Sequence, residues 1–204
     1  IKLEFEKATV LLTKEQSQNP KNGFILLHQN YIDFLTILIT EDFNYFEEHE
    51  GFKDIRLRLL DDNDKDSPYY LYSKAEISLQ WGLSRLKFKQ YPTAVYEILK
   101  AYKLFEENQE KFPGFTLNNK GLGLIHILLG AVPRDFNWIL NLIGFKGSVS
   151  LGLSELDSIL DDDRFVMYED EVLFLLSFSQ INLGDNDALW KKYLQKIGDG
   201  YQDN

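Results

Sequence analysis

Apolar side chains recur along this chain at intervals of three and four, the spacing that places them on one face of an α-helix. Over residues 1–17, Leu3, Phe5, Val10 and Leu12 stand among lysines and glutamates. Over 22–47 the pattern is denser, with Phe24, Leu27, Tyr31, Phe34, Leu35 and Leu38 in helical relation, and predicts one long helix. An acidic connection follows. Ser67-Pro68 has the form of an N-cap with proline at the first helical position and predicts a helix over 68–89. Pro92 opens another over 92–111, which Pro113-Gly114 ends. Thr116 is placed to cap a helix over 117–131, and Pro133 to start a short one reaching Ile143. After a turn bracketed by Gly144 and Gly147, Ser148 is placed to cap a helix to about Leu160. Two more cover 168–183 and 186–197. No alternating run bounded by hairpin residues suggests a strand. Nine helices joined by short turns predict an all-α fold of antiparallel neighbours. With no interior linker rich in Pro, Gly or Ser, residues 1–204 read as a single domain.

Small residues refine this picture. In AEISLQWGLSRLKFKQYPTAVYEILKAYKLFEEN, residues 75–108, Gly82 sits in the first helix, Ala94 twelve positions later and Ala101 seven beyond that. Alanine and glycine let helix axes approach, while Trp81, Leu86, Ile98 and Leu104 are sized to fill the layers around them. Tyr91 falls in the turn. The segment resembles a tetratricopeptide repeat, a helix-turn-helix unit of about 34 residues. The family's closing proline would fall at Glu106, but this chain has it at Pro113, which implies a second helix longer by about two turns. The resemblance implies a right-handed superhelical stack of antiparallel helix hairpins, each stabilised by its neighbours.

Seven of the 13 glycines fall between Gly114 and Gly152. In GLGLIHILLGAVP, aliphatics surround the whole helix, a pattern normal for one buried among others, and Gly123 and Gly130 share a face where backbones can approach. LGLIHILLGAVP, with LIGFKGSVSLGLSEL after it, is similar to a segment of eukaryotic tetratricopeptide proteins of the fungal inclusion-body-clearance family. It also resembles uncharacterised bacterial helical-repeat proteins of exported type. The likeness rests on glycines and aliphatics, so it implies a fold and no activity. Because the chain begins at Ile1, a leader removed before it would make this a periplasmic or exported protein. The end at Gly198-Asp199-Gly200 lacks a polar cap, as expected for the amino-terminal part of a longer solenoid.

Charge narrows the partners. The net charge is −10, and the stretch 41–66 alone holds ten acids against four bases. Such a surface disfavours nucleic acid and anionic lipid. The apolar run Leu122–Val132 is too short for a membrane span, which needs about 20 residues. With no cysteine, disulfides and thiolate chemistry are excluded.

Catalytic motifs are sparse. Gly121-Leu122-Gly123 has His126 where a dinucleotide loop needs its third glycine. Asp62-Asn63-Asp64-Lys65-Asp66 begins like a calcium loop, but Ser67 replaces its glycine and Ser73 its bidentate glutamate, so a solvated loop is expected. Asp161 to Asp163 and Asp185-Asn186-Asp187 read as turn and cap residues. His28, His49 and His126 have no metal-ligand spacing. His126 is expected to be a core imidazole bonded to a carbonyl or hydroxyl, with an enzyme pairing it to a carboxylate as a further alternative. No cofactor, metal or catalytic set is expected.

The leading expectation is a non-enzymatic scaffold that binds a protein or peptide. By the repeat resemblance, Glu76, Leu79, Leu83, Leu86 and Lys87 would face the concave side. Leu79 and Leu83 stand where the family's carboxylate clamp needs lysine and asparagine, leaving either an apolar groove or burial beneath an adjacent helix. The alternative is a carrier holding a lipid or another apolar small molecule between glycine-rich helices, with Phe136 and Trp138 near its mouth.

Overall fold

The computed structural model describes residues 4–132, 147–183 and 187–202, and every element among them is helical. The helices cluster into two compact units, residues 2–115 and the chain from Thr116 onward. The expected helix from Pro133 to Ile143, with Phe136 and Trp138, lies outside the described residues, as do Gly144, Asp185 and Asn186.

The first unit contains α1 (Phe5–Gln18), α2 (Gly23–Thr40), α3 (Phe43–His49), α4 (Phe52–Leu60), α5 (Pro68–Lys87) and α6 (Tyr91–Lys111). Ser67 caps α5 by accepting a hydrogen bond from the Tyr69 N–H, with Pro68 in its first turn. The chain leaves α5 through Lys89, whose φ of 59° is left-handed, while the Gln90 N–H returns to the Arg85 carbonyl. This 6→1 bond satisfies a carbonyl that the helix end would otherwise orphan. α6 then folds back along α5 and runs to Lys111, the extension that Pro113 implied. At their crossing, a Cβ on Gly82 would lie 2.7 Å from Ile98 Cγ1 and 3.3 Å from the Ala94 carbonyl oxygen. Ala94 and Ala101 are fully buried there. The small side chains therefore set the distance between these two helices.

Two expectations are corrected here. The helix over 22–47 breaks, because Glu41 turns left-handed (φ 54°) and the Asp42 carboxylate accepts from the Asn44 and Tyr45 N–H groups, starting α3. The acidic connection after it contains α4, an inverted helix. Lys53 and Arg56 point inward with Leu57 and Leu60, while Phe52, Ile55 and Leu59 are exposed. By length and composition α2 could cross a membrane. In this unit it packs on α5 and α4 and carries buried Asn30 and Asp33 into that contact.

The second unit contains α7 (Asn118–Gly130), α8 (Val149–Asp157), a 3₁₀ turn (Asp163–Tyr168), α9 (Glu169–Leu183) and α10 (Asp187–Gln202). α7 and α8 run antiparallel in backbone contact. A Cβ on Gly152 would lie 2.3 Å from the Gly123 carbonyl oxygen, and one on Gly123 would lie 2.7 Å from that of Gly152. Two turns along α7, a Cβ on Gly130 would meet the Val149 nitrogen at 2.6 Å. Ser148 caps α8 as expected, accepting from the Leu151 N–H. Thr116 does not cap α7: Leu117 holds that position, and the Thr116 hydroxyl donates instead to Asp162.

Candidate functional site

The interior of the first unit is more polar than its apolar periodicity suggests. The Asn30 side-chain carbonyl accepts from Trp81 Nε1 at 2.8 Å and from Arg56 Nη1 at 2.9 Å, and its amide donates to Gln80 Oε1 at 2.7 Å. Arg56 Nη2 meets Asp33 Oδ2 at 2.6 Å, and the Tyr45 hydroxyl donates to the other carboxylate oxygen at 3.2 Å. Burial first, and the Asp33 carboxylate second, push the Tyr45 phenol above its ordinary range. The Tyr31 hydroxyl donates to Glu76 at 2.9 Å. Beside this network, buried Lys53 pairs with buried Glu97 of α6. These groups are engaged with one another. They fix the register of α2 on α5 and of α4 on α6, because a slip would strand charges in the core.

That network settles where the expected partner-facing residues lie. Glu76 is 3% exposed and Leu79 2%, so both belong to the interior. Leu83 and Leu86 are half-buried, and only Lys87 is exposed, where it pairs with Glu41. Burial beneath neighbouring helices, rather than an open groove, describes the inner part of this face. Sequence reasoning missed Lys53 and Arg56. Their i, i+3 spacing opposite Phe52, Ile55 and Leu59 was the available signal, and it reads as a solvated face until the partners are known.

In the second unit His126 Nδ1 lies 2.6 Å from Glu155 Oε2, across the α7–α8 contact. One partner of this imidazole is therefore a carboxylate. Asn119 donates to the Ser158 hydroxyl at 2.9 Å along the same contact, and Lys120 pairs with Glu171 at 2.8 Å. The glycines here produce close packing, and at their crossing the backbones leave no space for a ligand. Asp162 caps the 3₁₀ turn, and hydrogen bonds from Arg164 first, then Thr116, hold its carboxyl well below the usual range. Among the described residues, no three His, Asp or Glu side chains converge as a metal site. In the acidic loop, Asp64 accepts from the Asp66 N–H and Asp61 pairs with Lys74.

A surface feature stands apart. α9 is apolar on all sides, a pattern that normally means burial all round. Its inner face is packed by Val172, Leu173 and Leu176, but Phe174, Phe178 and Ile181 point outward, with Phe178 58% exposed. Phe174 and Phe178 stack with ring centroids 6.3 Å apart. Just before the helix, Met167 is 77% exposed. Acidic side chains, Glu169 to Glu171, begin the helix. The sequence shows the apolar girdle but not which part of it the fold leaves open.

No family model, no curated protein and no solved structure matches this chain.

Proposed function

We propose that this protein is a non-enzymatic interaction scaffold of tetratricopeptide-like type that binds another protein through the open face of α9. The observation that carries the reading is the row Phe174, Phe178 and Ile181, exposed on a helix whose opposite side is fully packed. Contiguous aromatic surface of this kind marks interaction sites, and aromatic residues dominate binding energy where they become desolvated. The acidic start of α9 favours a partner segment that carries basic residues beside its apolar anchors. An amphipathic helix with a lysine or arginine flank meets both requirements. The small-residue crossings at Gly82 with Ala94 and at Gly123 with Gly152 support the repeat-like part of the reading. The face sequence expected on α5 is replaced here by that of α9, since Glu76 and Leu79 are interior.

The test places a photo-crosslinking amino acid at position 178, identifies the captured protein, and measures its affinity for the native chain and for Phe174→Ser/Phe178→Ser. Loss of two aromatic anchors is expected to weaken binding by at least about tenfold, with unchanged circular dichroism. A captured partner that binds both chains equally, or no capture beyond a second copy of this chain, sinks the reading.

A further inference from the structure

A second site is open to argument in the first unit, independent of α9. A cavity of about 270 Å³ lies where α2 and α5 begin and the turn after α4 passes between them. Phe24 and Tyr69 form one wall, with ring centroids 4.7 Å apart in an edge-to-face pair. Leu60 is fully buried beneath, and Asn63 and Ser67 close another side. Ser73 also lines the cavity, is only 2% exposed and makes no hydrogen bond to any described residue. Its hydroxyl, in the second turn of α5, opens on the cavity and is available to whatever fills it.

The lining specifies the chemistry of the occupant. An anion is a poor fit, because the side chains of Asn22 and Ser67 already accept from N–H groups at both helix starts. The charged side chains at the cavity, Lys21 and Asp64, are exposed, of opposite sign and cancel. What remains is uncharged. Ser67 and Ser73 offer hydroxyls, Asn63 a carbonyl and the amide hydrogen left beside the one given to the Leu59 carbonyl, and the rings an apolar face. Vicinal hydroxyls donate and accept in the same way, and the C–H face of a sugar ring lies well on an aromatic wall. The geometry points to a binding site for a neutral cyclic polyol, a single sugar ring or the end of a glycoside, between the starts of α2 and α5.

The test uses the ¹⁵N-labelled full chain, titrated separately at millimolar concentration with methyl α-D-glucopyranoside, inorganic phosphate, glycine and cyclohexanol. The glucoside is expected to shift amides of residues 21–24 and 60–73 and few others. Ser73→Ala should weaken that binding about three- to tenfold, as loss of one hydrogen bond does. Asn63→Ala, in an exposed turn, should weaken it similarly. The same spectra show that each variant is folded. The inference is overturned if no probe moves these amides, which would mean water alone fills the cavity. It also fails if phosphate, glycine or cyclohexanol binds there as well as the glucoside, or if both variants bind as tightly as the native chain.

Discussion

Gly152→Ala tests the closest contact in the second unit. The added methyl carbon would sit 2.3 Å from the Gly123 carbonyl oxygen, 2.7 Å from Ile127 Cγ1 and 2.9 Å from the Ile127 nitrogen. Two of those three atoms belong to backbone, so no rotamer change relieves them. Ordinary carbon–oxygen contact needs about 3.4 Å, so α8 must move from α7 by about 1 Å. That shift also stretches the His126–Glu155 and Asn119–Ser158 hydrogen bonds, which cross the same line. Overpacking of this sort costs about 1–3 kcal/mol. Against it stands the gain of about 1 kcal/mol from replacing glycine inside a helix. The net expectation is destabilisation by up to about 2 kcal/mol, in urea unfolding followed by circular dichroism. Gly198→Ala is the matched control, because Gly198 lies within α10 and a Cβ there meets nothing within 4 Å. With only the propensity gain acting, it should stabilise the same unit by up to about 1 kcal/mol. If Gly152→Ala were as stable as Gly198→Ala, the claim that these glycines set the helix separation would be refuted.

Three further outcomes are expected. Lys53→Met or Glu97→Leu alone should cost about 3–5 kcal/mol by stranding a buried charge, while Lys53→Met/Glu97→Leu together should recover most of it, as read by a double-mutant cycle of unfolding free energies. Lys89→Gly should stabilise the first unit by about 1 kcal/mol in thermal or urea unfolding, because the left-handed φ of 59° costs lysine but not glycine. Burial, with help from Asp157 at 3.2 Å, pushes the Tyr193 phenol up to about 12. A raised value means that the neutral phenol's contribution is complete below the ordinary value near 10 and is lost as pH rises through about 12. Absorbance titration of phenolate should show this late ionisation, and Asp157→Asn should bring it earlier.

The parts of the fold legible in the sequence were those that punctuation marks. Ser67-Pro68, Pro92 and Pro113-Gly114 gave α5 and α6 their limits, because each residue acts on its own stretch of backbone. Gly82, Ala94, Gly123 and Gly130 were readable as contact points because only a small side chain fits there. The break between α2 and α3 was hidden because a glutamate, not glycine or asparagine, takes the left-handed position at residue 41. α4 was hidden for a different reason. Its buried face includes Lys53 and Arg56, whose partners Glu97 and Asp33 are set by tertiary packing and have no local signature. The same limit applies to the sites. Helical period predicts a helix over 168–183 without telling which of its apolar residues remain uncovered. In the sequence Ser73 stands out only as the residue that breaks a calcium loop, since its place in a cavity depends on three segments meeting.

The Asn30 junction bears on how the chain is made. Its acceptor and donor, Gln80 and Trp81, follow it by 50 and 51 residues. At ordinary synthesis speeds they emerge about 3–10 seconds later. Until then α2, apolar and long enough to cross a membrane, has α1, α3 and α4 as neighbours but lacks the bonds that α5 supplies. The polar interior of α2 is thus completed only when α5 follows it.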